Sequence, residues 1–363
     1  MKQPETNLTA RQLCALLFLS RIFGLLTFPN PEATTLSAGN GVLIAATYLP
    51  FALLLALPAL LLFYRGQTPG ESAITQQKHP AATKILCVAY AFFFLLQAAS
   101  ATWLLDSFSG VAMYRNSGHP LLFLCFFALS SITAFSGIHT AARAAPPVLL
   151  LFLLTVGLIT AATLPYFDRE NLSAPEETNV RLLAANGLYA ALRTAEPASL
   201  LFVWPEGRGR RKSGLPLALC AVGFAGSLLF TLISGVTGAF GETQTFQFYT
   251  LTTLAELGAV ERMDDLLCAL WVFTAMLKTV FYLTLALRSL KIAGPTMETT
   301  LQRLLFFAAA WGLYEAIGRI GLLRETAVTG AFAMGAVLLF VAILPSILLL
   351  TGIKPKKQTE EAK

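Results

Sequence analysis

The chain has 363 residues, of which 56% are hydrophobic and 13% charged, about half the charged share of an ordinary soluble domain. So few charges cannot cover so much apolar surface in water, and the positive mean hydropathy points to lipid as the covering solvent. Soluble globular, collagen-like, disordered and disulfide-scaffold classes are thereby excluded. The five cysteines, Cys14, Cys87, Cys125, Cys220 and Cys268, lie in apolar runs without paired spacing and read as small buried hydrophobes. A net charge of +6 would indicate nucleic acid only if it were gathered on one face, and its distribution follows membrane topology instead.

A membrane-spanning helix needs roughly 20 mostly apolar residues. In chain order such runs fall at 12–29, 41–64, 84–107, 120–140, 146–165, 182–204, 215–239, 264–290, 301–322 and 329–352, ten in all. The linkers are short, so residues 1–353 read as a single all-α integral membrane domain, followed by a charged tail at 354–363. The first run contains Arg21 and is not followed by a small-x-small cleavage pattern, so it reads as a span rather than a secretory signal. Basic residues divide 17 to 5 between the two sets of alternate loops, and the richer set includes both ends of the chain. The expected topology therefore places both termini in the cytoplasm. Arg208-Gly-Arg-Arg-Lys212 belongs to the same signal.

Ten spans divide into five plus five, as in secondary transporters whose halves are inverted repeats and whose substrate site is lined by broken helices. Spans one and six correspond in that scheme. Span one carries Arg21, Gly24, Thr27, Pro29 and Pro31, and span six carries Asn186, Gly187, Arg193, Glu196 and Pro197. Proline removes a helical donor and glycine loosens a turn, so interruptions are expected near 24–31 and within 186–197. Ordinary membrane kinks are the plain alternative, since Pro50, Pro58 and Pro345 sit in other spans without implying a site.

Certain segments carry a resemblance. Thr9-Ala-Arg-Gln-Leu13 followed by Gly24-Leu-Leu-Thr-Phe-Pro29 resembles the first helix of the B subunits of spore germinant receptors, endospore germination permeases of the amino acid–polyamine–organocation superfamily. Val260-Glu-Arg-Met-Asp264, leading into Trp271, Lys278 and Tyr282, resembles that family's Glu-Arg-x-(Asp/Glu) opening of the eighth helix. Tyr64-Arg-Gly-Gln-Thr-Pro-Gly-Glu71 resembles its amphipathic cytoplasmic segment. Helix six departs from the pattern: Glu196 stands nine residues before Pro205, and Ser199 competes for the family's glutamate position. The resemblance implies a ten-helix transporter-like fold in the bacterial cytoplasmic membrane and the spore inner membrane. It also implies a nutrient ligand, an A-type membrane subunit and a C-type lipoprotein as partners. Tyr90 occupies a position similar to an aromatic pocket residue of the family.

Ionisable groups inside spans are costly unless paired or hydrated, and each is a functional candidate by default. Arg21 lies midway along span one and could hold a substrate carboxylate, gate, or form a structural salt bridge. Arg193 and Glu196, three apart, would share a helix face and could neutralise each other. Glu315 and Arg319, four apart, form a favourable structural pair. Lys278 has no acid three or four positions away, so its partner must come from another helix or from the ligand. In transporters of this fold the eighth helix faces the first and often holds a sodium ion with it. A buried Lys278 ammonium would stand in that cation's place, with Tyr282 one turn onward on the same face. The candidate ligand-binding set is therefore Arg21, Gly24, Thr27, Tyr90, Arg193, Glu196, Lys278 and Tyr282.

No catalytic residue, cofactor or metal site is expected: His79, His119 and His139 lack ligand spacing, and His-Glu-x-x-His and Gly-x-Ser-x-Gly patterns are missing. Polarity concentrated at spans one, six and eight suits one occluded ligand site better than a pore. Two functions remain, a ligand-sensing receptor subunit and a secondary amino-acid transporter. The resemblance favours the sensor, with the ligand amino-acid-like, a nucleoside or a sugar.

Overall fold

The computed structural model describes residues 8–27, 38–65, 74–75, 80–113, 120–172, 180–203, 214–255, 264–294, 299–324 and 330–351. Among these residues the regular structure is entirely helical. The α-helices in chain order are α1 (Ala10–Thr27), α2 (Ala38–Arg65), α3 (Pro80–Ala112), α4 (Pro120–Phe135), α5 (Ile138–Thr163), α6 (Val180–Ala191), α7 (Gly214–Glu242), α8 (Gln247–Thr253), α9 (Asp264–Ala293), α10 (Thr300–Arg319), α11 (Gly321–Arg324), α12 (Ala331–Val337) and α13 (Leu344–Thr351). A π-helical turn, Leu338–Ile343, joins α12 to α13. Short 3₁₀ turns occupy Leu164–Tyr166, Glu170–Leu172 and Glu196–Leu201. Among the described residues, seven helices are long and apolar enough to cross a bilayer: α1, Ala46–Arg65, Ala81–Ala112, Ile138–Tyr166, Pro216–Gly241, α9 and Ala331–Thr351. The molecule is an integral membrane protein.

Local sequence chemistry sets several of the ends. Thr9 and Gln12 form a reciprocal capping box at the start of α1, with the Gln12 amide donating to Thr9 Oγ1 at 3.3 Å and the Thr9 amide to Gln12 Oε1 at 3.1 Å. Thr299 and Gln302 repeat the device at α10. The box in α1 lies within the segment that carried the resemblance. Inside α7, Gly238 takes φ 52°, a conformation that suits glycine. Beside this break the Gly235 carbonyl accepts from the Asp168 amide at 2.9 Å and from Asn171 Nδ2 at 3.0 Å.

The core is built around α9, which packs on α1, α3, α4, α5 and α8. Every residue from Leu277 to Ala286 is buried. A helix enclosed on all faces must satisfy its own polar groups. Thr274, Thr284 and Ser289 do so by donating to carbonyls one turn back at 2.7–2.8 Å. Lys278 cannot, and its charge sets the character of the centre. On the other side α2 packs against α6 and α7, and α1 against α5, α7 and α9.

Several expectations need correction. The opening of span one does not begin by Thr27, because α1 is helical throughout 10–27; Pro29 and Pro31 lie outside the described residues. Arg193 and Glu196 do not share a helix face, because the α-helix stops at Ala191 and Glu196 starts a 3₁₀ turn. Of the cysteines only Cys87 and Cys268 are buried; Cys125 is exposed on the apolar exterior, where lipid serves it as well as a core would. Residues 260–263 and 66–71 of the family-like segments lie outside the described residues, while Asp264 is buried in the first turn of α9.

Candidate ligand site at the break of helix six

The sixth span is interrupted, and its sequence explains why. Pro197 has no amide hydrogen, so the Arg193 carbonyl cannot receive the helical bond from four residues ahead. Thr194 donates instead to Ala191 at 2.9 Å, tightening the last turn, and the chain restarts as Glu196–Leu201. Helix C-termini leave carbonyls unpaired, and a cation there offsets both the missing donors and the dipole. Arg21 of α1 fills that role. Its Nη1 donates to the Arg193 carbonyl at 3.2 Å and its Nη2 to the Ala190 carbonyl at 3.0 Å. Its Nε donates to Tyr48 Oη at 3.0 Å, and that hydroxyl lies 3.3 Å from Thr194 Oγ1. One planar fork from α1 thus holds the broken end of α6 together with α2.

One turn away lies a second junction. Lys278 Nζ donates to the Ser20 carbonyl at 2.8 Å and pairs with Glu196 Oε1 at 3.0 Å. Ser20 Oγ donates to the same Glu196 oxygen at 3.0 Å. All three residues are buried. The partner of Lys278 is therefore an acid carried by the interrupted span, and α1, α9 and the 3₁₀ turn meet at one charge pair. Close approach makes this possible: a Cβ on Gly24 would stand 3.0 Å from Lys278 Nζ, so glycine leaves the ammonium its path to α1. Ser199 turns back to the Glu196 carbonyl at 2.6 Å; Glu196 is thus the one of the two that reaches Lys278.

The remaining candidates spread around this centre. Tyr282 is fully buried, with Lys278 Nζ 5.7 Å from its ring centroid and its ring stacked on Phe94 at 6.2 Å. Tyr90 is fully buried against Phe94, Phe202 and Phe340, and its hydroxyl donates to the Phe340 carbonyl at 2.9 Å. Phe340 lies in the π-helical turn, where the backbone register is shifted. Thr27 accepts from Trp271 Nε1 at 2.7 Å, a second tie between α1 and α9. Arg193 is half-buried, with its guanidinium 4.0 Å from the Tyr189 ring centroid and hydrogen-bonded to that hydroxyl. Glu315 and Arg319 pair at 2.8 Å on α10, away from this centre. No cluster of metal-ligating side chains occurs among the described residues.

Ser20, Tyr48 and Thr194 were absent from the sequence expectation. Ser20 could have been found, because it lies one turn before Gly24 and so on its face. Tyr48 carries no comparable signal, being a single aromatic in an apolar span.

The family model described as spore germination protein matches residues 7–308. Among curated proteins, none matches the chain.

Proposed function

Because the chain belongs to the spore germination protein family, we propose that it is the nutrient-sensing membrane subunit of a spore germinant receptor. Its ligand, most simply an amino acid, binds mid-membrane where α1 and α9 meet the interrupted sixth span. The observation that carries the reading is the buried bridge of Lys278 to both Ser20 and Glu196. A ligand that interacts differently with two arrangements of that junction shifts their populations. Because the bridge joins three elements, the shift moves helices rather than single side chains.

In this proposal the fold comprises ten spans in a five-plus-five transporter-like arrangement, with α4, the split sixth span and α10 completing the seven long apolar helices. Residues 1–353 then form one domain with both termini cytoplasmic in the spore inner membrane, and an A-type subunit and a C-type lipoprotein receive the signal. Tags at either terminus are expected to react only with cytoplasmic reagents. Labelling of a cysteine placed within 205–214 from the outer side would refute that orientation.

The functional test compares spores and liposomes. Deleting the chain should abolish the response of spores to a particular nutrient, while the purified protein should bind that nutrient in liposomes without concentrating it. Gradient-driven accumulation by the isolated chain would favour the second reading, a secondary amino-acid transporter, which the same junction would serve as a gate.

A further inference from the structure

Among the described residues, two polar atoms beside the charge pair have no hydrogen-bond partner: Glu196 Oε2 and the Tyr282 hydroxyl. Their residues are 1% and 0% exposed, so bulk water does not serve them. Glu196 Oε1 already accepts from Lys278 and Ser20, each at 3.0 Å, which leaves Oε2 as the carboxylate's unused face. Lys278 Nζ, 3.0 Å from the Glu196 carboxylate, is also 5.7 Å from the Tyr282 ring centroid, so the carboxylate and the phenol border the same ammonium. Buried groups of this kind are rarely left unpaired, and each instance calls for a cause. The rings of Phe94, Phe202 and Tyr90 continue the wall beside Tyr282, with centroids 5.1–6.2 Å apart from Tyr282 through Phe94 to Phe202 and Tyr90.

The chemistry of the two atoms restricts what can satisfy them. An ionised carboxylate only accepts, so whatever meets Oε2 must bring an N–H or O–H; a phenol both donates and accepts. A second ionised carboxylate at that position has no hydrogen to give and would leave Oε2 unpaired. Arg21 already directs one N–H of each of its three nitrogens to Tyr48, Ala190 and Arg193, which fixes its plane on the broken end of α6. We propose that Glu196 Oε2 and the Tyr282 hydroxyl receive the hydrogen-bond donor of a small ligand, an ammonium or hydroxyl group, with the aromatic wall against the ligand's apolar part. The ligand is thus selected by its donor end and not by an acid end held on Arg21. This inference rests on the reading of the chain as a ligand-binding subunit and names the chemistry that subunit recognises.

The test uses the full-length protein in lipid nanodiscs and direct binding measurements. The twenty L-amino acids, glucose and adenosine are titrated singly; any amino acid that binds is then compared with its deamino, 2-hydroxy and decarboxylated analogues. The deamino analogue should lose at least about tenfold in affinity, the size expected for an unmade hydrogen bond to a buried charge. Retained binding of the 2-hydroxy analogue identifies a hydroxyl as sufficient. Its loss, with retention of the decarboxylated amine, identifies an ammonium. Tyr282→Phe should weaken the parent ligand about tenfold yet leave the weak binding of the deamino analogue unchanged, a coupling that a merely structural role would not produce. Should that variant fail to accumulate, the analogue series on the wild-type protein decides: a loss of about tenfold or more for the deamino analogue upholds the inference, and undiminished binding of it overturns the inference. Tight binding that ignores both the donor and Tyr282, or a structure with only a water on these atoms and the ligand elsewhere, overturns the inference while leaving the sensing role intact. Failure of every probe to bind overturns both.

Discussion

Lys278→Met is expected to remove the ligand response and to destabilise the protein by about 3–5 kcal/mol, the cost of leaving one member of a buried ion pair alone. Methionine keeps much of the side-chain volume, so packing against α1 changes little. The stranded group is Glu196, whose carboxylate would retain only the Ser20 hydroxyl of its present partners. If this account is right, adding Glu196→Met to Lys278→Met should recover most of the lost stability, because a buried pair replaced by apolar groups is often neutral. The response should not return, since the charge pair that joins α1, α9 and the 3₁₀ turn would then be gone and leave a ligand nothing of it to shift. Thermal unfolding of the purified variants in detergent checks the first half, and dose–response curves of spores carrying each variant check the second. A wild-type dose curve for Lys278→Met at normal protein level would show that the pair is peripheral to signalling. The permanent ammonium also predicts that response is independent of sodium, because the positive charge between α1 and α9 is already supplied by the chain.

Much of this was legible because membranes make sequence signals strong. Backbone polar groups have no water to fall back on, so apolar runs of sufficient length must be helices, and each of the ten runs carries helical structure. The interruption of the sixth span was readable from Pro197, whose missing amide leaves a specific carbonyl unpaired. The absence of an acid near Lys278 on its own helix pointed outward to another element, but not to which one. That choice depends on how α9 meets α1 and the 3₁₀ turn, a long-range packing outcome that local pattern does not encode. The misreadings share one cause. Gly24 was read as a point of backbone weakness, yet in a continuous α1 it is a gap that admits the Lys278 ammonium. Arg193 and Glu196 were paired on helical spacing that ceases to apply once the helix stops. The π-helical turn leaves the Phe340 carbonyl to Tyr90 because Leu344 donates to Leu339 and Pro345, five residues on, has no amide hydrogen, a signal that was read only as an ordinary kink.

Arg21→Lys should behave almost like Arg21→Met. In the present geometry Arg21 is a cap rather than a bare charge: three nitrogens in one plane reach three acceptors that belong to α2 and to the end of α6. Lysine keeps the charge but presents a single nitrogen on a flexible stem, so it cannot span Tyr48, Ala190 and Arg193 together. Each carbonyl left unpaired in the bilayer interior costs about 1–3 kcal/mol. The Ala190 carbonyl keeps the Arg193 amide at 3.3 Å, so the Arg193 carbonyl is the one stranded, and both substitutions are expected to lower stability by about 1–3 kcal/mol. They should also loosen residues 192–195, which amide hydrogen exchange at the break would register as faster exchange than in wild type. A ligand-holding role makes the opposite forecast. If Arg21 bound a substrate carboxylate through its charge, lysine would preserve much of the affinity and methionine would not. Equal stability losses and equally altered dose curves for the two variants identify the cap; a lysine variant that keeps wild-type stability and sensitivity while the methionine variant fails would assign Arg21 to the ligand.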